Sequence, residues 1–209
     1  MGWGSEGEGE DARVAFLRHP RRLGIFGGTF DPIHLGHLVI AERARSDLAL
    51  DLLLFVVAGD PPHKQSVVAS AQDRLRMVQL ATRDNPCFAV SDIEVRRAGH
   101  SYTVDTLREL REDRPRADFF FLLGSDSLSD LPAWHVPEDI AALATLAVVP
   151  RPGWESGGYE GLGSVVLVNC PQLDISSSAV RAMFRSGHSA RYLVPDPVLE
   201  YVAERGLYR

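Results

Sequence analysis

The sequence predicts an α/β fold in which a doubly wound, mostly parallel sheet carries helices on both faces. Short apolar runs alternate along the chain with segments whose apolar residues recur at helical spacing, and this alternation is typical of a parallel sheet. The run at 52–58 is apolar throughout, as expected of a strand buried on both faces. Ligands of such sheets bind beyond the carboxyl ends of the strands, where the strand order reverses. The segments that directly follow the strands are therefore where chemistry is expected.

Each element is predicted from its local pattern of apolar residues. The predicted strands are 23–26, 52–58, 88–90, 119–123, 145–149 and 165–168. The predicted helices are 37–48, 72–82, 104–111, 138–143, 177–185 and 197–205. The Gly-rich stretch at 152–163 is typical of a surface loop. Residues 1–20 begin with an acidic, Gly-rich run, which predicts a disordered N-terminal extension before a single domain at 21–209.

Composition excludes several classes of function. A net charge of −6 disfavours non-specific binding to DNA or RNA, so we expect no nucleic-acid partner. No run of roughly 18 apolar residues is present, which disfavours a membrane span. The two cysteines, Cys87 and Cys170, form no CxxC pair and are expected to be reduced, as in a cytoplasmic protein. Oligomeric state is left open.

The segment at 27–37, directly after the first predicted strand, reads GGTFDPIHLGH. Gly27 and Gly28 let the backbone turn sharply and approach a ligand. The helix that follows directs its free N–H groups and the positive end of its dipole to the same place, which suits a phosphate. His34 and His37 share a helical face if the first turn includes both. Each part alone has a simpler explanation, as a turn or as metal ligands, but no further ligand cluster completes a metal site. The whole segment favours a phosphate site.

Two further candidates supply positive charge. Lys64 is the only lysine; it follows the second predicted strand, and two prolines before it stiffen its loop. Serines at 176–178 open a predicted helix, with Arg181 one turn further on. The simpler alternatives are a solvated lysine and an ordinary helix cap. Together with the histidine segment, both sets favour the binding of an anion.

The segment at 27–37, with ISSSAVR at 175–181, resembles the HxGH nucleotidyltransferase superfamily, which transfers nucleotidyl groups on a Rossmann-like fold. Other segments make 22–209 similar to bacterial nicotinate-nucleotide adenylyltransferases, above all SYT at 101–103 and DSLSDLPAW at 126–134. Less specific segments are 59–64, 151–153 and 193–208. The departures are the N-terminal extension and Ser178, where threonine is more frequent in the family; a hydroxyl is kept.

The resemblance implies transfer of the adenylyl group of ATP to nicotinate mononucleotide, which yields nicotinate adenine dinucleotide and pyrophosphate in NAD biosynthesis. The expected catalytic residues are His34, His37, Lys64 and Arg181. The expected ATP-binding residues are Gly27, Gly28, Thr29, Phe30, His34, His37, Gly124, Asp126, Ile175, Ser176, Ser178 and Arg181. The expected residues for the pyridine nucleotide are Gly28, Thr29, Phe30, Lys64, Thr103, Val104, Trp134 and His135.

Within that set, Trp134 would stack on the pyridine ring, and its alternative role is core packing. Mg²⁺ would be carried with ATP, and no metal site is expected on the protein. The rival functions are phosphopantetheine adenylyltransferase, a cytidylyltransferase, a catalytically silent nucleotide sensor and an NAD-dependent redox protein. The first two functions leave the segments at 101–103 and 126–134 unexplained. A silent sensor has no need of both histidines and both cations. A redox protein would carry GxGxxG after the first strand.

Overall fold

The computed structural model describes residues 20–60, 67–151, 154 and 163–209. They form one sheet of six parallel strands in the order β3-β2-β1-β4-β5-β6. The strands are β1 (Arg22–Gly28), β2 (Leu52–Val57), β3 (Phe88–Ser91), β4 (Asp118–Gly124), β5 (Thr145–Val149) and β6 (Val165–Leu167). All six predicted strands are present, and the predicted doubly wound, Rossmann-like α/β class is confirmed.

The described helices include all six that the sequence pattern predicts. They are α1 (Leu35–Asp47), α2 (Ala71–Thr82), α3 (Ile93–Arg96), α4 (Thr103–Asp113), α5 (Ser125–Asp130), α6 (Pro137–Leu143), α7 (Ser177–Arg185) and α8 (Asp196–Arg205), with a 3₁₀ turn at Leu131–Ala133. The sequence did not predict α3, α5 or the 3₁₀ turn. Each is short, and α5, with the sequence SDSLSD, contains a single apolar residue, so no helical periodicity shows.

Two hydrophobic clusters cover the two faces of the sheet. In β2, which is buried along its whole length, Leu53, Phe55 and Val57 belong to one cluster and the alternate residues to the other. The first cluster includes apolar residues of α1, α2, α7 and α8. The second includes apolar residues of α4, α5 and α6. Helices therefore pack on both faces, which is why the β2 run is continuously apolar.

The order of the strands reverses beside β1. From β1 the chain moves outward to β2 and β3, and then returns to place β4 against the other side of β1, with Ile25 opposite Phe121. The loops that leave β1 and β4 run away from each other, which opens a crevice at the carboxyl ends of these two strands. This crevice is where a ligand is expected.

Some predicted features fall outside the described residues. These are Lys64, nearly all of the loop at 152–163, and the extension at 1–20 apart from Pro20, which is buried. Within the described part of the chain, no helix combines the length and the apolar character needed to cross a bilayer.

Candidate active site

A cleft of about 940 Å³ opens at the switch point between β1 and β4. Such a volume lies at the upper end of the range for small-molecule sites, roughly 300–1,000 Å³. One wall is formed by 26–31 and the start of α1, the other by 121–124, Asp126, Ser127 and Trp134, and the mouth by 149–151, 170–178 and Arg181. The segments that the sequence singled out after β1, after β4 and at the start of α7 therefore meet in one cleft.

His34 and His37 lie side by side on the β1 wall. His34 is the N-cap of α1 and His37 is the third residue of the helix; their rings stack with centroids 3.7 Å apart. The backbone N–H of His34 donates to Nδ1 of His37 (3.2 Å). An Nδ1 that accepts carries no proton, so neutral His37 has its proton on Nε2. The cap thus fixes the tautomer as well as the position of the His37 ring.

The two histidines do not have equivalent surroundings. His34 is 5% exposed, and burial lowers its pKa from 6.5 to about 4. At neutral pH it is therefore uncharged. His37 is half-buried, with its ring edge-on to Phe30 at 5.1 Å. His34 supports the ring of its neighbour and adds no positive charge to the cleft.

The glycines of this segment act differently from the prediction. The expectation was that Gly27 and Gly28 make the sharp turn, but the residue with a left-handed backbone is Phe30 (φ 51°). A Cβ on Gly28 would lie 2.7 Å from the Phe30 ring, so this glycine makes room for the aromatic side chain that packs on His37. Gly36 likewise leaves space for a ring, that of His34, since a Cβ at Gly36 would lie 3.0 Å from it.

Arg74 holds the loops that follow β1 and β2. The sequence pattern assigned neither Arg74 nor Asp31 to the site. Arg74, on α2, is 1% exposed. Its Nη1 donates to the carbonyls of Thr29 (2.8 Å) and Ala58 (2.7 Å), and its Nη2 donates to that of Gly59 (3.1 Å). One buried cation therefore holds the ends of both β1 and β2. The sequence contained a signal for this role. Arg74 precedes Met77 by three positions and Val78 by four, which places a charged residue on the apolar face of α2.

The start of α7 docks on the β1 loop. Ser176 caps the helix by accepting from the N–H of Ala179 (3.2 Å), and Ser177 donates to the carbonyl of Pro32 (2.9 Å). Arg181 donates from Nη1 to the carbonyl of Asp31 (2.7 Å) and from Nη2 to Ser178 (3.3 Å). The helix cap and the cationic donor set, which the sequence left as alternatives, are therefore both present.

The β4 wall carries the other predicted residues. Asp126 is exposed, and its Oδ1 lies 3.4 Å from Nε of Arg151. Gly124 leaves the space into which this carboxylate folds back. Trp134 is half-buried, with one edge toward Phe121 at a centroid distance of 6.2 Å, and it also lines the cleft. The indole is thus partly core and partly available to a ligand.

Among the predicted site residues that the structure describes, three do not line the cleft: Thr103, Val104 and His135. Val104 is fully buried. Ser101, in the same segment, donates its N–H to the carbonyl of Asp60 (3.1 Å) and so ties this segment to the end of β2. Ser101 was not predicted as a separate contributor, although its segment was.

Comparison with known proteins agrees with this geometry. The sequence model of the cytidylyltransferase-like family matches residues 25–183. A "Probable nicotinate-nucleotide adenylyltransferase" of Thermomicrobium roseum is 47% identical over 196 residues, covering 90% of this chain and 92% of that protein. A protein of the same name from Exiguobacterium sibiricum is 47% identical over 187 residues, covering 90% of this chain and 98% of that protein.

Among solved structures, nicotinic acid mononucleotide adenylyltransferase of Plasmodium falciparum, complexed with NaAD, has the same fold. The TM-score is 0.77 at 21% identity, and the match covers 90% of this chain and 97% of that one. Together with a cleft that joins the histidine segment to the start of α7, these matches show that the chain belongs to the cytidylyltransferase-like family and, within it, to the nicotinate-nucleotide adenylyltransferases.

Proposed function

We propose that this protein transfers the adenylyl group of ATP to nicotinate mononucleotide, giving nicotinate adenine dinucleotide and pyrophosphate in NAD biosynthesis. The observation that carries the proposal is one cleft with two kinds of wall. His37 and Arg181 lie toward its β1 side, and Trp134 with Asp126 lies on its β4 side. Cations and N–H donors suit phosphates, and an indole face suits a pyridine ring.

In the proposed step, an oxygen of the 5′-phosphate of nicotinate mononucleotide attacks the α-phosphorus of ATP. A new P–O bond forms, the bond from the α-phosphorus to the bridging oxygen breaks, and pyrophosphate leaves with that electron pair. The second pKa of a phosphate monoester is near 6, so the nucleophile is already ionised at neutral pH and needs no general base. Catalysis is then positioning and charge stabilisation.

The roles on the phosphate side follow from the surroundings of each group. His37 would donate from Nε2–H to the α-phosphate, with neutral His34 holding its ring. Arg181, with the exposed Ser178 beside it, would neutralise the triphosphate and the leaving pyrophosphate. Lys64 is proposed for the same task from sequence alone. Ser176, Ile175 and the backbone at 27–30 would complete the ATP site.

Mg²⁺ is proposed to be bound by the phosphate oxygens of ATP and to enter as part of the substrate. The described residues contain no group of three His, Cys, Asp or Glu side chains that could hold a metal ion, whereas a nucleoside triphosphate supplies such oxygens itself. The ion would add to the positive charge that Arg181 and Lys64 direct at the triphosphate.

On the β4 wall, Trp134 would stack on the nicotinate ring, whereas Asp126 and Gly124 would contact the bound ATP. Thr103, with the backbone at Val104 and His135, is proposed to meet the nicotinate carboxylate. These three do not line the cleft, so this part of the proposal rests on the family resemblance and not on the geometry of the cleft.

The wider setting is also a proposal. A cytoplasmic location fits the two free cysteines, Cys87 and Cys170. A net charge of −6 supports small anionic substrates, bound in a local positive site, over nucleic acid.

The function is tested by measuring pyrophosphate release from MgATP with nicotinate mononucleotide, nicotinamide mononucleotide or phosphopantetheine, and with no acceptor as the blank. We expect release with the nicotinate form and a dinucleotide product of the expected mass. Equal release with both pyridine nucleotides would contradict the proposed recognition of the carboxylate. Release only with phosphopantetheine, or none with any acceptor, would contradict the proposed reaction.

The role of His37 is tested with His37→Ala, which should lower kcat by about 10²-fold, as does the loss of one preorganised donor to a transition state. His188→Ala is the matched control, because His188 is exposed and is not among the residues that line the cleft. Turnover near that of the wild type in His37→Ala would remove this histidine from the mechanism.

A further inference from the structure

The C-terminal end of the chain reaches the β1 loop through one hydroxyl group. Tyr208 is the second-last residue, yet it is only 4% exposed. Its hydroxyl donates to Oδ1 of Asp31 (2.7 Å), across 177 positions of sequence. Its ring stacks on Phe184 of α7, with centroids 5.8 Å apart. A buried hydrogen bond between residues this far apart in the sequence fixes two distant segments in one geometry.

Asp31 is the point at which the C-terminus meets the cleft. Its carboxylate, 3% exposed, also accepts from the N–H groups of Val68 (Oδ2, 2.8 Å) and Ala69 (Oδ1, 3.1 Å). Together with Tyr208, these donors occupy both oxygens. The guanidinium of Arg181 stays 3.8 Å from Oδ2 and donates instead to the main-chain carbonyl of Asp31, at 2.7 Å.

This arrangement decides where Arg181 lies. A buried carboxylate attracts a neighbouring guanidinium more strongly than a carbonyl does, because the carboxylate carries a full negative charge and the carbonyl oxygen only a partial one. In this structure three of the roughly four acceptor sites of the Asp31 carboxylate are already taken by other donors, two on Oδ1 and one on Oδ2. The guanidinium therefore remains between the carbonyl of Asp31 and Ser178, at the lining of the cleft.

We propose that Tyr208 is a positioning residue for adenylyl transfer, whose hydroxyl takes the second acceptor site of Oδ1 of Asp31, weakens the attraction of this carboxylate for Arg181 and so keeps Arg181 available to the phosphates of ATP. The inference rests on the proposed function for the identity of the reaction, and on contacts alone for the geometry. Without the hydroxyl, Oδ1 of Asp31 would keep only the N–H of Ala69. Arg181 would then turn toward the carboxylate and away from the cleft.

The chain contains a matched control. Tyr201 of α8 donates to Oδ1 of Asp73 (2.8 Å), and Nε of Arg205 lies 3.4 Å from the same oxygen. This second Tyr–Asp–Arg group has the same chemistry, but none of its members lines the cleft. Tyr201→Phe therefore removes an equivalent hydrogen bond without touching the site.

The experiment compares Tyr208→Phe with Tyr201→Phe, both of which keep the aromatic ring, well below the unfolding temperature of every variant. We expect Tyr208→Phe to lower kcat about tenfold, the equivalent of one hydrogen bond to a charged group, and to raise the KM for ATP more than that for the pyridine nucleotide. Tyr201→Phe should keep the kcat of the wild type. The Kd of a non-hydrolysable ATP analogue, measured alongside, tests the geometry even if the acceptor is not nicotinate mononucleotide.

A double-mutant cycle with Arg181→Lys identifies the route of the effect. If Tyr208 acts through Arg181, Tyr208→Phe should change kcat much less in the Arg181→Lys background than in the wild type. Additive effects would overturn the proposal, as would equal losses in Tyr208→Phe and Tyr201→Phe. A Tyr208→Phe variant that cannot fold would also overturn it, because the hydroxyl would then serve folding and not the position of Arg181.

Discussion

Replacement of Arg74 by methionine tests whether one buried cation holds the ends of β1 and β2. Methionine fills most of the space of the arginine stem but removes four hydrogen bonds, to Thr29, Ala58, Gly59 and the carbonyl of Ala69 (3.3 Å). Burial lowers the pKa of the guanidinium, while the negative charge of Asp31 raises it. The side chain therefore stays charged in the core only because acceptors surround it.

The magnitude follows from these contacts. Hydrogen bonds to a charged group contribute roughly 1.5–3 kcal/mol each, but four do not add when the freed carbonyls can gain water. Removal of one partner from a buried charged arrangement costs about 3–5 kcal/mol, and we expect Arg74→Met to lower the free energy of unfolding by that amount. This is a large fraction of the roughly 5–15 kcal/mol of a typical domain.

The assay is urea unfolding at neutral pH, followed by circular dichroism, with Arg76→Met as the control. Arg76 is exposed on the same helix, so its replacement should change the free energy of unfolding by less than about 0.5 kcal/mol. If Arg74→Met were within about 1 kcal/mol of the control, the bonds to the strand ends would contribute little. The loops of the cleft would then need another explanation for their order.

Two further outcomes are expected. The pKa of His34 is lowered from 6.5 to about 4 in the folded protein, so between these values the unfolded chain binds a proton that the folded chain does not. The free energy of unfolding therefore has its full value above pH 6.5 and decreases toward pH 4 by up to about 3 kcal/mol. His34→Gln should flatten this pH dependence in urea unfolding. The expectation is contradicted if the free energy of unfolding of His34→Gln changes with pH as steeply as that of His188→Gln. Trp134→Ala should raise the KM for the pyridine nucleotide about tenfold, because stacking on an aromatic ring contributes roughly 1–3 kcal/mol, with a smaller change for ATP and a milder effect in Trp134→Phe. Equal changes in both KM values would assign Trp134 to core packing alone.

Sequence patterns were sufficient for the framework because the framework is a matter of periodicity. The apolar run of β2 is continuous because helices cover both of its faces, and the alternating membership of Leu53 and its neighbours in two clusters confirms this. Because ligands of parallel sheets bind beyond the carboxyl ends of the strands, the segments after β1 and β4 were predictable as parts of one site. The short helix α5 was not predicted because its six residues, SDSLSD, include one apolar side chain and so show no periodicity.

The pattern was misleading where a residue's role depends on what packs against it. Gly28 looked like the turn, but the turn is at Phe30, and the missing Cβ makes space for that ring. Asp31 was not singled out by the sequence, yet its carboxylate joins Tyr208 to the segment at 68–69. Contacts across 177 positions leave no local signature in a single sequence. The sequence did contain one usable signal: Arg74 on the apolar face of α2, together with the acidic Asp31 shortly after a strand.

Two donors of the cleft, His37 and Arg181, are held in position by other groups of the protein. The N–H of His34 donates to Nδ1 of His37 and leaves the ring's proton on Nε2. Tyr208 and two backbone N–H groups donate to Asp31, and Arg181 binds a carbonyl and a serine hydroxyl. A donor already fixed in this way needs no reorientation when negative charge develops on a phosphate, and in many enzymes preorganisation of that kind contributes more to the rate than any other effect. It also explains why a chain with a net charge of −6 can accept anionic substrates. The attraction comes from a few donors held within hydrogen-bonding reach, where salt screens weakly, and not from the field of the whole surface.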